Sequence, residues 1–181
     1  MAEAKADASA ADRLRDLSRD DWLIVHGVHL ADDDGLLGTI VHNPRSNMNN
    51  QVGYARPTRF SNPVALGTDG IGADMLDEFR VAYAKLREAD VTETPETAAA
   101  MLATGTGLFE EVTGDRVTWN YEPMDPWRLA FTTGVRPVRV EIDGRVMVDD
   151  GVATQIDADE IRAKSAEAAQ RLFGRLDDMY P

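Results

Sequence analysis

Residues 22–70 read WLIVHGVHLADDDGLLGTIVHNPRSNMNNQVGYARPTRFSNPVALGTDG, and three short apolar runs within them each stop at a residue that can take part in chemistry. Short aliphatic runs closed by glycine, proline or asparagine are typical of strands buried on both faces of a parallel sheet. Parallel α/β folds place their sites at the carboxyl ends of the strands. The runs are Leu23–Val25, Thr39–Val41 and Val64–Leu66, and the residues that follow them are His26, His42 and Asp69.

The composition excludes several kinds of protein and of site. A chain of 181 residues is by default one domain with a core large enough to be stable. It has no cysteine, so disulfides and thiolate metal sites are excluded, and a metal would need His, Asp or Glu ligands. No segment approaches the roughly 18 apolar residues of a membrane helix, and the amino end has no apolar signal segment. The sequence therefore predicts a soluble, cytoplasmic protein.

The net charge of −13 has an unusual origin, because only three of the cations are lysines: Lys5, Lys85 and Lys164. Such an acidic, lysine-poor surface argues against binding to nucleic acid or to an anionic membrane, since both require a basic face. The lysine depletion and the excess of Asp over Glu together predict a halophilic protein from a high-salt cytoplasm, where screening makes self-repulsion tolerable. An ordinary acidic protein is the alternative.

The remaining segments predict helices followed by a small β unit. The predicted elements of the first part are a helix over 2–19, a short helix around Leu36–Leu37 capped by Asp32–Asp34, a loop over 43–62, a helix from Ala73, a helix from Pro95 interrupted at Gly105 and Gly107, and a short helix to Val112. Those of the second part are strands over 116–121 and 135–149 with a turn at Asp143-Gly144, and a final helix capped by Asp157. This order favours a parallel α/β layer over residues 1–113 and a small β unit with a closing helix over 114–181.

Four motifs occur together in this chain and carry a resemblance to a known family. They are HGVHL at 26–30, HNPRSNM at 42–48, LGTDG at 66–70 and VEIDGRVMVDDG at 140–151. In this order and spacing they resemble the deaminase and chlorohydrolase branch of the amidohydrolase superfamily, and especially its aminohydrolases linked with selenium metabolism. The resemblance covers nearly all of this chain and only the carboxyl-terminal part of such an enzyme.

The resemblance implies a fold and a set of site residues. The fold is the carboxyl-terminal half of a (β/α)8 metal-dependent hydrolase barrel, with strands equivalent to the sixth to eighth, plus a small appended β element and a terminal helix. Zinc or iron is the implied metal, and such a metal lowers the pKa of bound water to about 7. Asp69 would ligate it and accept a proton from the bound water, and His26 would polarise either the attacked group or the hydroxide. The implied substrate-binding residues are His42, Asn43, Ser46 and Asn47.

The chain departs from this family in its metal site. Members carry a His-x-His pair after the first strand and a His-x-x-Glu after the fifth, and these histidines are absent here. Residues 1–3 match the end of the second motif, which implies a proton-shuttling role for Glu3; a solvated carboxylate is the alternative. We therefore expect this chain to be the back half of a longer enzyme. The metal can be absent from it, and its expected partner is a missing front-half chain or a second copy of this one.

Two functional hypotheses follow. In the first, the chain is half of an amidohydrolase in which metal-activated water attacks a C–N or C–Cl bond of a purine, pyrimidine or triazine-like ring, and it is incomplete and inactive alone. In the second, it is a degenerate half-barrel with a structural or interaction role, whose exposed strand edges drive self-association. Because a catalytic zinc usually has at least three protein ligands, the count of donors discriminates between them. The first hypothesis implies a small heterocyclic substrate.

Overall fold

A computed structural model describes residues 10–31, 35–109, 114–121 and 125–180, and these residues form two compact units. The first unit holds the described residues up to 109 together with 125–132, and the second holds 114–121 and 133–180. Three expectations lie outside the described residues: the role of Glu3, the cap at Asp32–Asp34 and the short helix to Val112.

The first unit is built on a parallel sheet of three strands. The strands are β1 (Leu23–Val25), β2 (Thr39–His42) and β3 (Val64–Leu66), in the order β1-β2-β3. Ile24 pairs with Ile40, which pairs with Val64 on the other side. This arrangement confirms the three strands predicted from the apolar runs, and it brings their carboxyl ends to one edge of the sheet.

Five helices accompany this sheet. They are α1 (Ala10–Leu17), α2 (Pro44–Asn49), α3 (Met75–Ala89), α4 (Pro95–Gly107) and α5 (Pro126–Phe131). The side chain of Asp74 caps α3 by accepting hydrogen bonds from two backbone N–H groups of its first turn. Ile24 and Ile40 form a buried cluster with Leu36, and Phe79 of α3 is also fully buried.

Helix α4 runs without a break through Gly105, so the predicted interruption there is wrong, whereas the helix does end at Gly107. A Cβ at Gly105 would lie 3.6 Å from the carbonyl oxygen of Leu66 and 3.7 Å from Cβ of Ala65. The helix therefore packs closely against β3 at this point. That packing outweighs the helix-propensity cost of a glycine, which is about 1 kcal/mol.

Two further corrections concern the segments around β2. Residues 43–62, expected to be loop, contain α2 and a 3₁₀ turn at Pro57–Arg59. Both begin with a proline, whose fixed φ is suited to a first helical position. The predicted helix around Leu36–Leu37 does not form. Instead, Leu36 packs against Ile24 and Ile40.

The strand β1 is not buried on both faces, contrary to the expectation for its apolar run. Ile24 is buried, whereas Leu23 and Val25 on the opposite face are about half exposed. β1 is one of the two edge strands of this sheet, and the other edge strand, β3, has both Ala65 and Leu66 buried. The described residues thus leave an apolar surface where the sequence predicts burial.

The second unit is an antiparallel sheet followed by a long helix. Its strands are β4 (Arg116–Trp119), β5 (Pro137–Ile142), β6 (Arg145–Asp149) and β7 (Val152–Ala153), and the helix is α6 (Ala158–Met179). The turn at Asp143-Gly144 is confirmed, and both residues have positive φ angles of 48° and 72°, as a type I′ hairpin requires. The predicted cap at Asp157 is also confirmed. Among the described helices, none has the length and apolar content needed to cross a membrane.

Candidate active site

His26 and Asp69 come together at the carboxyl edge of the parallel sheet. His26 follows β1 directly and Asp69 lies three residues beyond β3, and the Nε2 atom of His26 is 3.6 Å from Oδ2 of Asp69. Both side chains are about 40% exposed, so a small molecule can reach them. The parallel topology explains this proximity, because strands that run in the same direction end at the same edge.

Helix α2 supplies the hydrogen-bond partners of both residues. Ser46 Oγ donates to Oδ2 of Asp69 at 2.5 Å, and Oδ1 of Asn47 lies 2.9 Å from Nδ1 of His26. The helix begins two residues after β2 ends, which places its first turn over the same edge of the sheet. Two adjacent residues of the HNPRSNM motif thus orient the two candidate catalytic groups.

The hydrogen bond from Ser46 also affects the ionisation of Asp69. It is the largest cause of a pKa below the ordinary value for an aspartic acid, and the bond from the backbone N–H of Gly70 acts in the same direction. The nearby His26 contributes a smaller electrostatic effect of the same sign. Asp69 is therefore a carboxylate at neutral pH, ready to attract a cation or a developing positive charge.

The backbone is in an uncommon conformation at both residues. His26 has a φ of 70° and Asp69 a φ of 50°, in the left-handed region that residues other than glycine rarely adopt. Such conformations cost on the order of 1–3 kcal/mol each and cluster at functional sites. In the described part of the chain, four other residues besides glycine share this conformation, Gln51, Arg56, Asp143 and Asp150, so it is consistent with a functional site without identifying one.

The residues expected to bind substrate are all buried: His42, Asn43, Ser46 and Asn47 are at most 2% exposed. The ring of His42 packs edge-on against Tyr54 at a centroid distance of 5.9 Å, and neither of its nitrogens has a hydrogen-bond partner among the described residues. Burial lowers the pKa of His42 to about 4, and His26 adds a smaller effect. The third histidine, His29, is exposed and lies outside this cluster.

Asn43 fits into its position because residue 67 is a glycine. A Cβ at Gly67 would lie 2.7 Å from Nδ2 of Asn43 and 2.8 Å from Cγ1 of Val41, closer than such atoms can approach. The glycine of the LGTDG motif therefore allows the loop that carries Asp69 to pass over the end of β2.

Sequence reasoning missed three residues that support the site. Arg45 forms a buried ion pair with Glu78, with Nε 2.6 Å from Oε1. Arg59 donates to the carbonyl oxygens of Leu30 and Gly27, and so fixes the loop that follows His26. Arg45 and Arg59 lie in the segment that the sequence predicts as a loop, so no periodicity marked them. Glu78 had one signal, a carboxylate among the apolar positions of a predicted helix.

The described residues do not form a complete metal site. Asp69, the expected metal ligand, lies 3.6 Å from the Nε2 atom of His26. Within residues 10–31, 35–109, 114–121 and 125–180, no group of three His, Asp or Glu residues is placed to hold a metal ion. A catalytic zinc usually has at least three protein ligands. A carboxylate and an imidazole 3.6 Å apart therefore form at most part of such a site.

Known proteins resemble this chain over part of their length. No protein-family model matches it. It is 29% identical to a 5-methylthioadenosine/S-adenosylhomocysteine deaminase of Desulforamulus reducens, over 84% of this chain and 43% of that protein. The chain thus spans less than half the length of this curated relative.

Three solved structures share the fold. An adenosine deaminase from Xanthomonas campestris with bound zinc matches with a TM-score of 0.62 and 20% identity, over 88% of this chain and 44% of that one. An amidohydrolase from Brucella melitensis matches with a TM-score of 0.69 and 16% identity, over 97% and 46% of the two chains. A mutant of the atrazine chlorohydrolase TrzN from Arthrobacter aurescens, complexed with zinc and atraton, matches with a TM-score of 0.59 and 17% identity, over 80% and 40%. The expected resemblance to part of a deaminase or chlorohydrolase of the amidohydrolase superfamily is confirmed, and so is the α/β fold class.

Proposed function

We propose that this chain contributes part of the active site of an amidohydrolase-type hydrolase that breaks a C–N or C–Cl bond of a purine, pyrimidine or triazine-like ring. The observation that carries the proposal is the meeting of His26 and Asp69 at the carboxyl edge of a parallel sheet, each hydrogen-bonded to a different side chain of α2. The deaminase relative and the fold shared with a chlorohydrolase support this choice of reaction.

The two residues are suited to different tasks. Asp69 has a lowered pKa, so it is a weak proton acceptor and a good holder of positive charge. An imidazole can accept a proton at one ring nitrogen and return it, which suits it to proton transfer during attack on the ring. We assign proton transfer to His26 and charge stabilisation to Asp69. Glu3 remains the proposed proton shuttle.

We propose that Ser46 and Asn47 act by orienting the catalytic groups. Their side chains are buried and face Asp69 and His26, so a substrate meets them only where it displaces these bonds. His42 and Asn43 would shape the wall behind them. Positioning of this kind matters because a misplacement of about 1 Å can cost on the order of 100-fold in rate.

The incomplete donor set predicts how the isolated chain behaves toward metal. Protein purified in zinc-containing buffer and then dialysed is expected to retain far less than one zinc per chain, since two donors are fewer than the three usual for catalytic zinc. It is also expected to release neither ammonia from aminopurines and aminopyrimidines nor chloride from chlorotriazines. Mass spectrometry measures the zinc and iron bound per chain, and a product assay measures the ammonia or chloride released. One tightly held metal per chain would show that the site is complete, contrary to this proposal.

A second candidate function is a structural or interaction role without catalysis. The observation in its favour is the half-exposed pair Leu23 and Val25 on the edge strand β1, which a second copy or a chain that carries the front half would cover. This candidate requires no chemistry at Asp69, so the two proposals differ in what a substitution at Asp69 does. The acidic, lysine-poor composition supports the further proposal of a high-salt cytoplasm as the working environment.

A further inference from the structure

Helix α3 carries two adjacent carboxylates in very different environments. The side chain of Asp77 is 50% exposed, whereas that of Glu78 is fully buried. Burying an ionised carboxylate costs several kcal/mol unless it is paired and its oxygens accept hydrogen bonds. A fully buried Glu78 is therefore retained only where its partners offset that cost.

Among the described residues, the partners of Glu78 all belong to Arg45. Nε of Arg45 donates to Oε1 of Glu78 at 2.6 Å, and the backbone N–H of Arg45 donates to Oε2 at 3.3 Å. The same guanidinium also donates to the carbonyl oxygen of Asp74 and lies 3.6 Å from Asp77. Glu78 thus holds both the main chain and the side chain of Arg45.

The contact between Glu78 and Arg45 stabilises helix α2, which is too short to be stable by itself. Helix α2 has six residues, too few for a stable isolated helix. The side chain of Asn43 forms no cap at its start, and Pro44 has no N–H. The first N–H of the helix is therefore that of Arg45, and Glu78 satisfies it from a neighbouring helix.

The residue two positions further along α2 is Asn47, which faces His26. Oδ1 of Asn47 lies 2.9 Å from Nδ1 of His26, and in this orientation of the carboxamide the oxygen accepts a hydrogen bond from an Nδ1–H group. A neutral ring then keeps its lone pair on Nε2, the nitrogen that lies 3.6 Å from Asp69. The position of Asn47 thus decides which nitrogen of His26 is free for chemistry.

We propose that Glu78 is a positioning residue of the candidate active site: it anchors α2 through Arg45, keeps Asn47 at His26, and so holds the His26 ring in the Nδ1–H tautomer. The significance for catalysis rests on the proposed function, because a proton acceptor must present an unprotonated Nε2 toward the reacting group. The tautomer itself is a property of the folded chain and is measured without any turnover.

The test is the tautomer of His26 in wild type and in Glu78→Gln, from long-range ¹H–¹⁵N NMR spectra at a pH about two units above the ordinary histidine pKa of about 6.5. Asp77→Asn is the matched control, because it removes the neighbouring carboxylate, which is exposed. Wild type and the control are expected to show His26 in the Nδ1–H form. Glu78→Gln is expected to show a mixture of the two tautomers while circular dichroism still reports a folded protein.

Two results would overturn the proposal: an Nε2–H ring in wild type, or an unchanged Nδ1–H ring in folded Glu78→Gln. If Glu78→Gln does not fold, Arg45→Lys takes its place. That variant keeps a cation for the buried carboxylate but loses the second donor of the guanidinium, so it is expected to show the same mixture. The NMR readout needs neither metal nor substrate, so a failure of the hydrolase proposal leaves the tautomer result unaffected. A failure of the tautomer proposal likewise leaves the hydrolase proposal open to its own test.

Discussion

Glu78→Ala is expected to lower the free energy of unfolding by about 3–5 kcal/mol, the usual cost of removing one partner of a buried ion pair. The substitution leaves the guanidinium of Arg45, whose side chain is 18% exposed, without the carboxylate it contacts at 2.6 Å. It also leaves the first N–H of α2 without its acceptor. Because domains are typically stable by only about 5–15 kcal/mol, urea denaturation should show a large fall in the midpoint.

Two control variants separate this effect from a general loss of charge. Asp77→Ala removes an exposed carboxylate from the same helix turn and is expected to cost less than about 1 kcal/mol. Arg45→Met combined with Glu78→Leu removes both charges and is expected to recover most of the loss. Equal destabilisation by Glu78→Ala and Asp77→Ala would contradict the structural account of the pair.

Acidification is expected to destabilise the protein because His42 must become protonated. The free energy of unfolding should fall by about 3 kcal/mol as the pH drops from the pKa of His42 in the unfolded chain to its pKa in the folded chain. Burial lowers the folded-state pKa to about 4 from an ordinary value of 6.5. The folded protein therefore favours the neutral form of the His42 ring. Its contribution is fully present above pH 6.5 and is lost as the pH falls toward 4, because the unfolded chain binds the proton first.

His42→Phe provides the measurement, since a phenyl ring keeps the packing against Tyr54 and neither nitrogen of His42 has a hydrogen-bond partner to lose within the described parts of the chain. The free energy of unfolding of both proteins is measured by urea denaturation from pH 7.5 to pH 4. The variant is expected to lose less stability over this range, by roughly 3 kcal/mol. Parallel pH profiles for the two proteins would contradict a buried neutral His42.

The strands and the two catalytic candidates were predictable because their signals are local. Each apolar run and the polar residue that ends it lie within six residues of one another, as in Leu23–His26 and Val64–Asp69. The parallel arrangement followed from the topology that such runs adopt. The motifs then pointed to the segment that carries Ser46 and Asn47.

The support of the site was not predictable, because it depends on contacts between distant parts of the chain. Helix α2 has no apolar period, and it is held by Glu78, which lies 33 residues from Arg45. A sequence pattern shows that Glu78 falls among the buried positions of α3, but it does not reveal the partner. In the same way, the exposure of Leu23 and Val25 depends on what packs against their face of β1. The apolar character of the two residues does not reveal this.

The central claim is that His26 and Asp69 are the groups with which this chain takes part in a metal-dependent hydrolase site. A zinc titration followed by NMR on wild type and Asp69→Asn tests it most directly. The account predicts weak binding in which the ring signals of His26 and the amide of Ser46 shift first, and it predicts that Asp69→Asn abolishes these shifts. Zinc-induced shifts confined to other residues, or shifts at His26 that Asp69→Asn leaves unchanged, would contradict it.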